Sequence, residues 1–382
     1  MLGAVAAMQA PAVALVAAAL RDLSGAPLPA CAAASIALHL AAASILVHRL
    51  RWWIDDTRMP WWRAWLLEVP YAVYASGCLL AAPVAYVALA AAGVAALAGR
   101  PAGPLVAWLG PVYGVAGALA LWGSTAGRAW ARVSRVEVAV AGLPAAFDGY
   151  RIAHVSDVHC GPHLPRWVLD GWARRVRALE PDLVAVTGDL ITAGEGYLDD
   201  VAAFARGLAA ADGVVACLGN HDYFQTVDGV ARALEGAGVT LLRNRSLRVA
   251  RGGASLVVAG SDDRWSRRDD ADGALRDAAA GEAVVLLAHD PASWPDLARR
   301  GVSLTLSGHT HGGQFGLPGG GPGLNLGRVA SRFSAGLFRA GASALYVSRG
   351  LGTSGVPTRV GMAPEVALLV LRSAGGGRGG EL

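Results

Sequence analysis

The chain contains no lysine: all 33 of its basic residues are arginine. It also has no run of more than two consecutive basic residues, and its formal net charge is only +4 over 382 residues. A phosphate-tracking stripe of the kind that binds nucleic acid is therefore missing, and the arginine-, alanine- and glycine-rich composition reads as general base composition. Cysteine is scarce. Cys31, Cys78, Cys160 and Cys217 are the four, and none stands in a CxxC spacing, which excludes a zinc ribbon and a thioredoxin-type motif. Four reduced thiols suit a cytosol-facing protein. Cys160 follows His159 directly but has no second cysteine or matching base close in sequence, so it is not read as a nucleophile. The first basic residue is Arg21, so residues 1–20 lack the positive n-region of a secretory signal peptide.

Apolar residues are plentiful: hydrophobic content is 54% and mean hydropathy is +0.41. The excess collects in the first third. Residues 3–20, 31–47, 69–98 and 104–124 form four apolar runs, and a helix that crosses the hydrocarbon of a bilayer needs about 20 apolar residues. The expectation is an anchor over 1–130 with about four spans, against a competing arrangement of two spans with the first two runs as a hairpin or interfacial helices. Arg49, Arg51, Arg58 and Arg63 follow the second run, and Arg128, Arg132 and Arg135 follow the fourth. The loops after the first and third hold only Arg21 and Arg100. The positive-inside rule puts both basic segments, and everything after Arg128, on the cytoplasmic side of the cell membrane. Trp52, Trp53, Trp61, Trp62 and Trp65 cluster beside the first basic loop, where interfacial aromatics belong. His39 and Glu68 read as satisfied polar groups before they read as a relay, Glu68 being the better candidate for function.

From about Val133 the texture changes. Val136–Val140 alternates as a strand does, and short apolar runs then alternate with helical stretches such as Pro165–Leu179 and Val227–Ala237, which argues for an α/β domain over 131–372. The way the runs end is informative. Tyr150–Ser156 stops at Asp157 and His159, and Leu183–Thr187 at Asp189. Val214–Leu218 stops at Asn220, His221 and Asp222, Val284–Ala288 at His289, and Val302–Ser307 at His309 and His311. Uniformly apolar strands are buried on both faces, and functional groups of open α/β sheets gather beyond the carboxyl ends of the strands. Five polar strand ends can thus converge on one rim. Packing alone does not explain five histidines, three aspartates and an asparagine there, because too many desolvated polar groups would gather without compensation. Metal binding does. Gly188, Gly219, Gly308 and Gly312 let the backbone turn sharply beside the ligands. His154 and His163 lie outside the pattern and read as structural.

Taken together, Asp157-x-His159, Gly188-Asp189, Gly219-Asn220-His221-Asp222, His289 and Gly308-His309-Thr310-His311 resemble the calcineurin-like metallophosphoesterases, over roughly Val133 to Arg372. The entry Leu143-Pro-Ala-Ala-Phe-Asp-Gly149 and the late Ser348–Gly355 stretch with Pro364-Glu365 resemble a membrane-anchored bacterial branch, the YkuE-like phosphoesterases. The resemblance implies a four-layer αββα sandwich of two mixed sheets flanked by helices. It implies that Asp157, His159, Asp189 and His311 hold one divalent ion, and that Asp189, Asn220, His289 and His309 hold another, with Asp189 as the bridge. Two such ions about 3.5–4 Å apart serve the attacking and leaving oxygens of an in-line displacement. The mixed N/O donors suit Mn²⁺, Fe²⁺ or Zn²⁺ better than Mg²⁺ or Ca²⁺. His221 is left as the catalytic non-ligand that stabilises charge or protonates the leaving oxygen, with Asp222 orienting it or capping the next helix. Many relatives carry Gly-Asp-x-x-Asp/Asn in the second block. Here the block is Gly188-Asp189-Leu190-Ile191-Thr192, which leaves Asp222 or the Thr192 hydroxyl to orient His221.

Other features carry less. The Gly319–Gly323 loop lacks the lysine and Ser/Thr of a P-loop and reads as a flexible substrate-facing loop. Arg264, Arg349 and Arg359 are candidates for binding a substrate phosphate. Residues 373–382 are glycine-rich and expected to be disordered. The expected activity is hydrolysis of a phosphoester or pyrophosphate, with an amphiphilic, lipid-linked phospho-substrate favoured by the anchor. The alternatives are a metal-binding sensor or scaffold without turnover, and a nuclease, which lacks its basic or aromatic groove.

Overall fold

The computed structural model describes residues 2–52, 58–101, 103–224, 227–317 and 324–373. Residues 374–382 of the expected tail and residues 318–323 of the glycine-rich loop lie outside the described residues. The chain forms two units, one made of Met1–Asp55, Met59–Gly127 and Val356–Thr358, the other of Asp56–Arg58, Arg128–Gly355 and Arg359–Leu382.

The first unit is helical. Leu2–Ser24 and Leu28–Trp52 are alanine- and leucine-rich, a composition with high intrinsic helix propensity. Gly25, at φ +68°, ends the first of them, and its N–H returns to the Arg21 carbonyl. Trp61–Arg63, a π-helical turn at Ala64–Glu68 and Val69–Leu97 follow one another without a break. Three helices among the described residues are long and apolar enough to cross a membrane: Ala6–Ser24, Leu28–Ile45 and Trp61–Leu97. The fourth expected span is shorter than its sequence suggests. It is split at Trp108 into Gly103–Ala107 and the 16-residue Leu109–Ser124. Pro111 is the physical reason, because it has no N–H to donate to the Ala107 carbonyl four residues back. Within this unit the Thr358 hydroxyl bonds to Ser124 at 2.7 Å and to Ser76 at 3.1 Å.

The second unit holds two six-stranded sheets. The strands are β1 (Arg132–Val140), β2 (Arg151–Val155), β3 (Leu183–Thr187), β4 (Val214–Cys217), β5 (Thr240–Leu241), β6 (Arg245–Arg251), β7 (Ala254–Gly260), β8 (Val284–Leu287), β9 (Leu304–Ser307), β10 (Gly336–Ala340), β11 (Ser343–Val347) and β12 (Glu365–Ser373). One sheet runs β1-β12-β2-β3-β4-β5, the other β10-β11-β9-β8-β7-β6. Both are mixed: β12 pairs parallel with β1 and antiparallel with β2, whereas β2, β3 and β4 are parallel, as are β7, β8 and β9.

Side-chain alternation makes the layers. Ile152, Leu183, Val215, Val258, Val285 and Leu306 point into one core shared by the two sheets. Their neighbours Ala153, Val184 and Ala216 point the other way and pack under helices Arg166–Arg177, Leu198–Arg206 and Val227–Glu235, through Leu169, Trp172, Phe204 and Leu234. Val257, Val284 and Leu286 likewise face away from the shared core, against Ala274 and Leu297 of the short helices on the far side. The result is helix, sheet, sheet, helix. Strands buried on both faces need no polar alternation, which is why they read as unbroken apolar runs. The structure lengthens the Val136–Val140 strand back to Arg132 and adds the β6–β7 hairpin, whose turn is made by Gly252 and Gly253 at φ +56° and +77°.

Candidate metal centre

The carboxyl ends of β2, β3 and β4 in one sheet and of β8 and β9 in the other carry every residue singled out as a ligand. The loops are tied side by side through their backbones. Asp157 N–H donates to the Gly188 carbonyl, His159 N–H to Asp189, and Gly308 N–H to His289, each at 3.0 Å. Five of the residues, Asp157, His159, Asp189, His309 and His311, have φ between +49° and +70°. Non-glycine residues in this left-handed region are strained, and such strain persists where surrounding structure over-determines it, often at functional sites. Glycine is required at two contact points. A Cβ on Gly219 would run into the Asp189 carboxylate and the His289 ring, and one on Gly308 into Ser156 and the Asp157 carboxylate.

The side chains meet in two groups that share Asp189. Asp157, His159, Asp189 and His311 can each bring a donor atom within 4.8 Å of the others, and so can Asp189, His289 and His309. In the first group His159 Nε2 lies 3.0 Å from His311 Nε2 and 3.5 Å from Asp189 Oδ2, and His311 Nε2 lies 3.3 Å from Asp157 Oδ1. In the second, His289 Nε2 lies 3.2 Å from Asp189 Oδ2, and Asn220 Oδ1 is 3.0 Å from His309 Nδ1. All of these residues except His309 are buried.

Electrostatics strain the cluster further. Burial and the neighbouring His221 hold His159 well below the usual imidazole range, and burial with His159 does the same to His311. Burial raises Asp157 to about 6. Burial opposes charge on His289, but Asp189 beside it prevails and lifts it to about 10. The His159 and His311 Nε2 atoms crowd into one small space 3.0 Å apart, and the fully buried His289 Nε2 faces the Asp189 carboxylate at 3.2 Å. Imidazole nitrogens and carboxylate oxygens converging in this way fit a divalent transition-metal ion. The Nδ1 of His289 is 2.7 Å from the Thr187 carbonyl, the supporting bond that fixes a ligating ring's orientation.

The expected role of Asp222 needs correction. Its carboxylate faces backbone, accepting from the N–H groups of Asp189, Leu190, Ile191 and Gly219 at 2.9, 2.8, 3.3 and 2.9 Å. It therefore has no oxygen to spare for orienting His221. That ring is held instead by the Thr192 backbone carbonyl, 2.7 Å from Nδ1, while the Thr192 hydroxyl points to the His159 carbonyl. His221 Nε2 lies 3.4 Å from Ser354 Oγ, and its backbone N–H donates to Asp189 Oδ1 at 2.8 Å. Arg359 also departs from expectation. It is fully buried, and its guanidinium is used by the carbonyls of Arg349, Gly352 and Met362 and by contact with His311 Nδ1 at 3.2 Å, which leaves it positioning the loop rather than reaching a phosphate. Arg264 is exposed and Arg349 half-buried. Cys160 is buried, and burial pushes its thiol up, away from nucleophilic use. His154 sits in β2 with Nε2 on the Thr187 hydroxyl, and burial lowers it to about 3.

Three positions went unread in the sequence, and Thr192 was read at its hydroxyl rather than its carbonyl. The Thr187 and Thr192 carbonyls hold His289 and His221, and backbone groups leave no residue-type signal. Phe224 and Trp265 were missed as well. Phe224 is 42% exposed with its ring 4.7 Å from His221, and Trp265 is 66% exposed with its ring 5.6 Å from His309. Bulky aromatics in otherwise polar stretches were the available clue.

Comparison with known proteins accords with this geometry. Residues 150–313 match the model of the calcineurin-like phosphoesterase family. The chain is 32% identical over 238 residues to the uncharacterized metallophosphoesterase YkuE of Bacillus subtilis, covering 60% of this chain and 82% of that protein. It is 32% identical over 260 residues to a bovine protein named "Transmembrane protein with metallophosphoesterase domain", covering 63% of this chain and 57% of that one. An uncharacterized metallophosphoesterase of Aquifex aeolicus is 29% identical over 251 residues. With two mixed sheets presenting candidate Asp and His ligands at their carboxyl ends and a relative matched over most of its length, the chain belongs to the calcineurin-like metallophosphoesterases, a membership that implies phosphoester hydrolase activity.

Proposed function

We propose that this protein is a membrane-anchored dinuclear metallophosphoesterase acting on an amphiphilic phospho-substrate, a lipid phosphate or lipid-linked pyrophosphate. The observation that carries the reading is the sharing of Asp189 between two groups of donor atoms. Asp157, His159 and His311 complete one group, and Asn220, His289 and His309 the other. Bound there, two divalent ions would supply positive charge to both the attacking and the leaving oxygen of an in-line displacement. His221 does the proton work. Its Nδ1–H is committed to the Thr192 carbonyl, so a proton is exchanged at Nε2, where the leaving oxygen would be protonated. Asp222 is a positioning residue that holds the Asp189 and Gly219 turns together, not a proton carrier. The exposed rings of Phe224 and Trp265 beside His221 and His309 offer apolar surface at the rim, which favours a substrate with an apolar portion.

The anchor is the apolar first unit, with Leu109–Ser124 joined to Gly103–Ala107 as a fourth crossing. That count leaves the basic segments after the second and fourth helices on one side, the cytoplasmic side under the positive-inside rule. A tag after Leu382 that resists external protease on intact cells supports this orientation; digestion from outside overturns it. For the activity, purified full-length protein with added Mn²⁺ is offered a panel of phosphate esters and phospholipids. Turnover of lipid phosphates or lipid pyrophosphates is expected. Turnover confined to soluble nucleotides overturns the substrate assignment, and a fully metal-loaded protein inert to the whole panel overturns the enzymatic reading.

A further inference from the structure

The helical unit forms a half-open cleft of about 490 Å³ lined from the helices Leu2–Ser24, Leu28–Trp52, Val69–Leu97 and Leu109–Ser124. This volume lies in the range of small-molecule sites, roughly 300–1,000 Å³. Leu15, Leu38 and Val73 contribute apolar wall, and three polar side chains break it: His39, Tyr74 and Tyr113. His39 is 93% buried, being 7% exposed. Its Nδ1 lies 2.7 Å from the Ser35 carbonyl and must carry the ring proton to bond there, so Nε2 presents a lone pair. That Nε2 and the Tyr113 hydroxyl make no hydrogen bond among the described residues, and the Tyr74 hydroxyl is beside the Cys78 thiol. The His39 and Tyr74 rings stand edge to face at 5.5 Å, so the polar atoms are grouped rather than scattered.

The walls are held apart by structure. Ser35 Oγ donates to the Val13 carbonyl at 2.8 Å and Tyr86 OH to the Ala7 carbonyl at 2.6 Å, pinning the first helix to the second and to Val69–Leu97. Gly77 and Gly117 bring Val69–Leu97 and Leu109–Ser124 into close approach on one side, where a Cβ on Gly77 would sit 3.5 Å from the Gly117 Cα. An apolar cleft with a buried acceptor and two phenolic hydroxyls matches a long-chain molecule whose polar terminus donates a hydrogen bond. We infer that this cavity binds a lipid alcohol, with its hydroxyl given to His39 Nε2 and its hydrocarbon against Leu15, Leu38 and Val73. The site rests on the helical unit alone and does not depend on the phosphoesterase reading.

The test uses full-length protein in nanodiscs and a photoactivatable hexadecanol carrying a chain diazirine. Crosslinks are expected on the cavity-lining residues of Leu28–Trp52 and Val69–Leu97, and unlabelled hexadecanol should compete them away. His39→Phe should cut this labelling about tenfold. Tyr113→Phe, which removes only an oxygen and so preserves packing, should cut it several-fold. The corresponding diazirine alkane, lacking a hydroxyl, should label the cavity weakly. Phosphatase turnover of a soluble ester should be unchanged in both variants, which separates failure of this site from failure of the catalytic one. Equal labelling of wild type and both variants, equal labelling by alcohol and alkane, or crosslinks restricted to exposed residues such as Leu40 and Val87 would overturn the proposal.

Discussion

Asp189 is the residue on which the centre turns. Its carboxylate lies 3.5 Å from His159 and 3.2 Å from His289, one in each donor group, and it also accepts from the His221 N–H. Asp189→Ala should therefore empty both metal sites and abolish turnover. His221→Ala should keep both ions and lose turnover by about 10²–10⁴-fold, the usual scale of general acid–base catalysis. Metal content by plasma mass spectrometry beside steady-state kinetics checks both, and loss of an ion from His221→Ala would mean that His221 is a ligand. Asp222 separates structure from chemistry. Four buried N–H groups depend on it, and each buried donor left unpaired costs about 1–3 kcal/mol. Allowing for relaxation, Asp222→Ala should lower unfolding stability by about 4 kcal/mol in denaturant melts, whereas His221→Ala should leave the midpoint nearly unchanged. A stable Asp222→Ala that is merely slow would restore a catalytic role to the carboxylate.

The strand-end turns are where element geometry becomes chemistry. Each ligand loop reverses within two residues of its strand, and most of the ligands themselves take positive φ. Gly219→Ala drives a methyl into Asp189 and His289, so it should lower metal affinity and turnover far more than it lowers stability. Isothermal titration of apo protein with Mn²⁺, set against thermal melts, checks this; unaltered affinity would show that the turn can yield. Ile152→Ala is the counter-case. Its side chain is fully buried between the sheets, so the mutation should cost about 2–5 kcal/mol while metal stoichiometry stays the same. At this scale the sequence was readable where strands are buried on both faces, because Leu183–Thr187 or Val284–Leu287 can only be apolar runs. It was less readable for β6 and β10, where polar and apolar residues mix and the strand becomes definite through its partner.

For the whole molecule, a metal centre assembled from five loops of two sheets would couple metal binding to folding of the second unit. A ligand that binds only the folded state stabilises it by about 2.7 kcal/mol at a hundred times its dissociation constant. Chelation should thus lower the melting transition of the second unit, and restored Mn²⁺ should raise it again. Two transitions in calorimetry, only one of them moved by chelator, are expected from the division into two units; one transition insensitive to chelator would argue against a bound ion. The sequence by itself determined which residue types stand at the strand ends and in what order, and where apolar helices precede them, because burial and local turn chemistry act over a few neighbouring residues. Tertiary structure alone decided that β12 is inserted between β1 and β2. It decided that Asp222 serves backbone N–H groups rather than His221. Each of these depends on partners distant in the chain, of which residue patterns carry no record.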